Sequence, residues 1–83
     1  MRLPQLRAVE VLRLLERLGY ERVGPPGGHV KMRRKGGANK PEDIVMVPMH
    51  KGRDLPRWLT ARLLKHVAQA NDLTAEELIT RYL

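Results

Sequence analysis

The chain has 83 residues, a formal net charge of +7 at pH 7 and no cysteine. This length predicts a single domain, residues 1–83, because it is too short to build a second hydrophobic core. The absence of cysteine excludes disulfide bonds, thiolate metal sites and a thiol nucleophile. The longest apolar run, Ile44–Val47, is far shorter than a membrane span, so we expect a cytoplasmic protein with no membrane partner.

The positive charge is concentrated in the middle of the sequence. Residues 29–66 contain ten Lys and Arg but only three acidic residues, which accounts for the whole net charge of +7. All three histidines lie in the same segment. Segregation of this kind predicts a polyanionic partner without identifying it. The alternative is that the basic residues only form a solvated surface.

The first predicted element is a helix from Pro4 to Leu18. Proline is tolerated in a first helical turn, where its missing N–H would have no partner. Apolar residues recur at steps of three and four, which predicts one buried face. That face consists of Ala8, Val11, Leu12, Leu15 and Leu18. Gly19 supplies the left-handed conformation that ends many helices.

Three strands are predicted next. Tyr20–Val23 is a short edge strand, and the segment Gly24–Gly28 forms a turn because its glycines and prolines continue neither a helix nor a strand. The second strand begins at His29, and its side chains alternate between two faces. Val30 and Met32 lie on one face, and His29, Lys31 and Arg33 lie on the other.

The third strand, Asp43–Val47, is closed by Pro48 and pairs with the second strand as an antiparallel hairpin. If the hairpin is symmetric about its loop, Pro48 lies opposite His29. His50 would then lie on the same face as His29, one diagonal away. A shift of one residue in the register would place it on the opposite face.

Two helices complete the chain. The first starts at Pro56, ends at Asn71–Asp72 and carries Trp58 near its start as an expected packing anchor. Its predicted apolar face is Leu59, Leu63, Val67 and Ala70. The second helix, Ala75–Tyr82, follows a capping box formed by Thr74 and Glu77.

This order of elements predicts an α+β domain of two layers, α-β-β-β-α with an extra short C-terminal helix. The order is that of double-stranded-RNA-binding domains, which recognise the shape and the phosphates of RNA.

Several short motifs occur in order along nearly the whole chain. They are Leu15–Tyr20, Gly27–His29, Val47–His50, Asp54–Pro56, Leu63 and Leu73–Leu78. In order and spacing they resemble the HicA family, small bacterial toxins that cleave RNA and are restrained by HicB antitoxins. The resemblance implies a dsRBD-like endoribonuclease that cleaves mRNA without metal or cofactor. It also implies a HicB-type antitoxin as the protein partner and His29 as the catalytic residue.

One position departs from the family pattern. The family commonly has Gly-Ser-His, and Gly28 stands in place of the serine. The replacement removes no group that transfers protons, so we expect the class of activity to be unchanged.

The residues around His29 suit the cleavage of a phosphodiester. Histidine ionises near neutrality and can therefore act as a general base or a general acid. Lys31 and Arg33 share its face and can hold a phosphate. The nucleophile can be the RNA 2′-OH or water, and His50 is the candidate for a second catalytic group.

The candidates for RNA binding are basic residues of the middle segment. They are Lys31, Arg33, Arg34, Lys35, Lys51, Arg53, Arg57 and Arg62. We expect no metal site, because the three histidines have neither cysteines nor a paired His-x-x-x-His spacing beside them. His66 is expected to lie on the surface of its helix or to pack against a neighbour.

Two other functions are open at this point. A non-catalytic RNA-binding module of the same fold would tolerate replacement of His29. An adaptor for an acidic protein would have no affinity for nucleic acid.

Overall fold

The computed structural model describes residues 4–25, 27–49 and 53–83. Its elements are α1 (Ala8–Arg17), β1 (Glu21–Val23), β2 (His29–Arg34), β3 (Asp43–Pro48), α2 (Arg57–Ala70) and α3 (Ala75–Tyr82). The strands form one antiparallel sheet in the order β1-β2-β3, with β1 at an edge. The predicted α+β fold, with its α-β-β-β-α order and additional C-terminal helix, is confirmed.

The register of the β2–β3 hairpin is the one that a symmetric loop predicts. His29 pairs with Pro48 at one end, and Arg34 pairs with Asp43 at the other. The ladder extends past His29, because the Met49 N–H donates to the Gly28 carbonyl at 2.9 Å. On its other side β2 pairs with β1 only between Lys31 and Arg33. The first two residues of β2 therefore lie beyond the end of β1.

The two faces of the sheet differ in burial. Val30, Met32, Val45 and Val47 are buried and form the sheet side of the core. The helices complete this core with leucines that include Leu14, Leu15, Leu64 and Leu78, all at most 1% exposed. The alternating side chains form the other face, which we call the open sheet face. It carries His29, Lys31 and Arg33 of β2, Glu21 and Val23 of β1, and Ile44 and Met46 of β3.

Helix α1 is shorter than predicted at its start. It begins at Ala8 rather than near Pro4, because the preceding residues pair with a distant segment. The Leu55 N–H donates to the Leu6 carbonyl at 2.7 Å, and Arg7 forms an isolated antiparallel bridge with Asp54. This pairing keeps Leu6 and Arg7 out of the helix. The prediction for the other end is confirmed, since Gly19 follows the helix with a φ of +96°.

Helix α2 buries the predicted Leu63 and Val67, but its buried face is wider than predicted. Its buried residues are Thr60, Leu63, Leu64, Val67 and Ala68. The predicted Leu59 and Ala70 are only partly buried. The buried face is wider because α2 packs against both β3 and α3. Trp58 is 65% exposed, so the expectation of a packing anchor is wrong.

Helix α3 has the predicted bounds, and its capping box is present. The Glu77 N–H donates to the Thr74 hydroxyl, and the Thr74 N–H donates to the Glu77 carboxylate, both at 3.0 Å. These hydrogen bonds hold the pKa of Glu77 below its ordinary value. Within the described ranges, no helix has the length and apolar character needed to cross a membrane.

Candidate functional site

His29 is the first residue of β2, and its side chain lies on the open sheet face. The neighbouring Val30 is 8% exposed and faces the core, whereas His29 itself is exposed. No group among residues 4–25, 27–49 and 53–83 forms a hydrogen bond with its imidazole. Both ring nitrogens are thus available, within the described part of the chain, to exchange protons with a bound molecule.

Lys31 and Arg33 follow His29 on the same face, as the alternation predicted. The Lys31 side chain is exposed and has no acidic partner within the described residues. Arg33 is partly buried and donates to the Glu42 carboxylate at 3.1 Å, in an ion pair at the surface. Cationic character on this face therefore comes first from Lys31, which is nearest to His29.

Arg34 lies on the other side of the sheet. Its guanidinium donates to the carbonyls of Ala70 and Pro41, at 3.1 Å and 3.0 Å, and to the Asn71 side chain. It also stacks over the ring of Tyr20, with 5.6 Å between the guanidinium carbon and the ring centroid. The structure therefore separates Arg34 from His29 and engages its donors inside the protein.

The other basic candidates are spread along the surface. Lys35 is exposed after β2, at the end of the hairpin remote from His29. Arg53, Arg57 and Arg62 are exposed in the loop before α2 and on α2 itself. Arg62 borders a groove beside β3 that Ile44 and Met46 also line. His50 and Lys51 lie outside the described residues.

A polar network that the sequence did not reveal occupies the remote end of the hairpin. The Tyr20 hydroxyl donates to the Asp43 carboxylate at 2.5 Å and accepts from the Asn71 amide at 3.1 Å. The other Asp43 oxygen lies 2.8 Å from Nε2 of His66. Burial and the hydrogen bond to Asp43 raise the pKa of Tyr20 to about 12, so the phenol is neutral at physiological pH. With Arg34 these residues form what we call the Tyr20–Asp43 network.

The network and His29 are separate sites. Asp43 pairs with Arg34, five residues along β2 from His29, which corresponds to roughly 17 Å along the strand. His66 is therefore too remote to exchange a proton with His29 directly. The residues of this network are far apart in sequence and meet only through the tertiary structure. No local sequence motif could therefore have predicted it.

No cluster that could hold a metal ion is found in the described ranges. There, no three His, Cys, Asp or Glu side chains gather closely enough to act as ligands.

The fold and the site together define a small α+β domain in which, among the described residues, an exposed histidine and the exposed Lys31 lie side by side on the open sheet face. Residues 8–68 match the family model described as the HicA toxin of bacterial toxin–antitoxin systems. The chain therefore belongs to the HicA toxin family, and its role is that of the toxin in a toxin–antitoxin pair. Toxins of this family act on RNA in general. A comparison with curated proteins gives no match.

Proposed function

We propose that this toxin is an endoribonuclease that cleaves mRNA in the cytoplasm without a metal ion, with His29 as its catalytic residue. One observation carries the proposal. In a chain of the HicA family, the histidine that begins β2 is exposed, lies on the same face as the exposed Lys31 and has no hydrogen-bond partner among the described residues.

The chemistry assigns a role to each neighbouring group. The His29 imidazole accepts the proton of the attacking hydroxyl, which belongs to the RNA ribose or to water. As the new P–O bond forms, the P–O bond to the leaving nucleoside breaks, and the leaving oxygen takes a proton from water or from a second acid. His50 is the proposed candidate for that acid. The Lys31 ammonium stabilises the negative charge that develops on the phosphate oxygens.

RNA affinity comes from cations on and beside the open sheet face. Lys31 is the nearest to His29, and the exposed Arg53, Arg57 and Arg62 add positive charge in the loop before α2 and on α2 itself. Neutralisation of RNA phosphates by these side chains releases bound counterions and makes the binding dependent on salt. The same surface offers a HicB-type antitoxin a target, which it covers with acidic groups and so blocks His29.

The test is cleavage of a labelled mRNA in EDTA by the wild type and by His29→Ala. Binding of the same RNA is measured by fluorescence anisotropy. We expect the variant to bind RNA and to leave it intact. His66→Ala is the matched control, because it removes an imidazole that is also exposed but belongs to the Tyr20–Asp43 network.

Other results assign other functions. Binding without cleavage by both wild type and His29→Ala indicates a non-catalytic RNA-binding module. The absence of RNA binding points to an adaptor for an acidic protein. Equal cleavage by both proteins places the catalytic group elsewhere, and a His50→Ala variant then tests the next candidate.

A further inference from the structure

A cavity of about 220 Å³ lies directly beside His29. Most of its wall is apolar, and its lining includes two cations, Arg22 and Lys31. The lining residues are Arg22, Val23, Pro25, Gly27, His29, Val30, Lys31 and Met49. Pockets for drug-sized ligands run from roughly 300 to 1,000 Å³, so this cavity has the size for a smaller group, such as one aromatic ring system.

The cavity results from the unequal lengths of the strands. The β1–β2 ladder stops at the pair of Val23 and Lys31, whereas β2 continues back to His29 with β3 alone as its neighbour. After β1 the chain turns at Gly24, whose φ of +84° is a conformation that favours glycine. The space that a longer β1 would fill beside the start of β2 is the cavity.

The chemistry of the walls fits one nucleobase and its phosphates. Val23, Pro25 and Met49 contribute apolar wall against which the flat face of a base can pack. Arg22 and Lys31 also line the cavity and can contact phosphates of the RNA. A groove of similar volume beside α2 lacks this combination, because Arg62 and His66 line it but His29 does not.

We propose that this cavity binds a single nucleobase of the RNA, next to the phosphate at which His29 acts. The inference rests on the proposed function, since the base is positioned relative to the cleaved bond. It has a specific consequence. One position beside the cut is read by the protein, and the toxin therefore prefers some bases over others at that position.

The experiment maps the cut sites. A long mRNA containing all four bases is digested with the wild type, and the 5′ ends of the fragments are sequenced. We expect unequal use of the four bases at one position next to the cut. Val23→Phe fills the cavity, so its base use at that position should approach the composition of the transcript. Cleavage at the preferred sites should slow by about tenfold, because one stacked base is lost.

Two further variants make the result decisive. Met49→Ala enlarges the same cavity and should change the base preference at the same position. Val9→Phe makes the same substitution as Val23→Phe on the outer surface of α1, where Val9 is 45% exposed. It should cut as the wild type does. Circular dichroism melting verifies that each variant is folded.

The opposite results are equally clear. The inference is wrong if folded Val23→Phe and Met49→Ala keep the base use of the wild type. It is also wrong if the wild type has no base preference beside its cuts. In both cases the proposed ribonuclease activity is unaffected. If the wild type does not cut RNA at all, the proposed function fails first and the inference falls with it.

Discussion

One exposed histidine, His29, begins the β2–β3 hairpin, and another, His66 of α2, contacts the opposite end of the hairpin; the two have opposite surroundings. At one end His29 stands on the open sheet face without a hydrogen-bond partner in the described part of the chain. At the other end His66 contacts Asp43, which in turn accepts a hydrogen bond from the buried Tyr20. The His29 imidazole is therefore available to an external ligand, whereas the His66 imidazole already contacts another side chain of the protein.

The difference follows from what each end must join. The remote end connects β2 and β3 with the last turn of α2, because Arg34 donates hydrogen bonds to the Ala70 carbonyl and to the Asn71 side chain. Buried polar groups stabilise a fold only when they are paired. The Tyr20 hydroxyl is paired with both Asp43 and Asn71, whereas Nε of Arg34 is buried without a partner among the described residues. Near His29 no helix is joined to the open sheet face by such hydrogen bonds in the described residues, and polar groups there remain free for an external ligand.

The largest expected effect separates the two histidines. His29→Ala should lower the rate of RNA cleavage by about 10²- to 10⁴-fold, because it removes a general acid–base group. Its free energy of unfolding should change by less than about 0.5 kcal/mol, since the side chain is exposed. His66→Ala should cleave RNA as fast as the wild type, and its free energy of unfolding should fall by up to about 1 kcal/mol. Cleavage rates and urea unfolding of both variants measure this, and a similar pattern in the two would refute the comparison.

The next effect concerns two neighbouring arginines on opposite faces of β2. Arg34→Met should lower the free energy of unfolding by about 3 kcal/mol, because it removes several hydrogen bonds from a partly buried cation. Arg33→Met breaks only the surface pair with Glu42 and should cost less than about 1 kcal/mol. Urea denaturation provides the comparison. If both variants lose the same free energy of unfolding, the Tyr20–Asp43 network does not stabilise the fold more than the surface ion pair of Arg33 does.

A smaller effect appears at alkaline pH. The pKa of Tyr20 is about 12 in the folded protein, against about 10 for an unperturbed tyrosine. The folded state therefore holds this proton more tightly than the unfolded state. The resulting stability is complete below pH 10 and is lost as the pH rises through 12, by about 2 kcal/mol. The free energy of unfolding of the wild type and of Tyr20→Phe, measured between pH 9 and 12, tests this. The variant has no phenol at position 20, so its stability should fall less over this range.

The smallest effect is expected for the cation next to His29. Lys31→Met should reduce RNA affinity by less than about tenfold and lower the slope of log K against log salt by about 0.7, as expected for one phosphate contact on a single strand. Its free energy of unfolding should be nearly unchanged, because the side chain is exposed. Anisotropy titrations at several salt concentrations measure the slope. An unchanged slope would remove Lys31 from the RNA-binding surface.

Much of the fold could be predicted from local pattern. Alternation in β2 correctly separated Val30 and Met32 from His29 and Lys31, and a symmetric loop correctly placed Pro48 opposite His29. The capping box correctly predicted the start of α3. The predicted start of α1 was wrong, since proline is compatible with a first helical turn but does not require one. The backbone hydrogen bond between Leu6 and Leu55 keeps Leu6 extended, so α1 starts after it.

The sequence by itself determined the order of elements, the two faces of β2 and the family, because each depends on neighbouring residues or on motifs in fixed order. Only the tertiary structure decided which polar side chains are engaged. Arg34 and Arg33 are adjacent and chemically identical, yet Arg34 is held between Tyr20 and α2, whereas Arg33 remains near the surface with Glu42. The partners of Arg34 include residues 36 and 37 positions away in sequence. The cavity beside His29 likewise depends on a relation between strands that no single segment encodes. The start of β2 at His29 has β3 as a neighbour but extends beyond the last residue of β1.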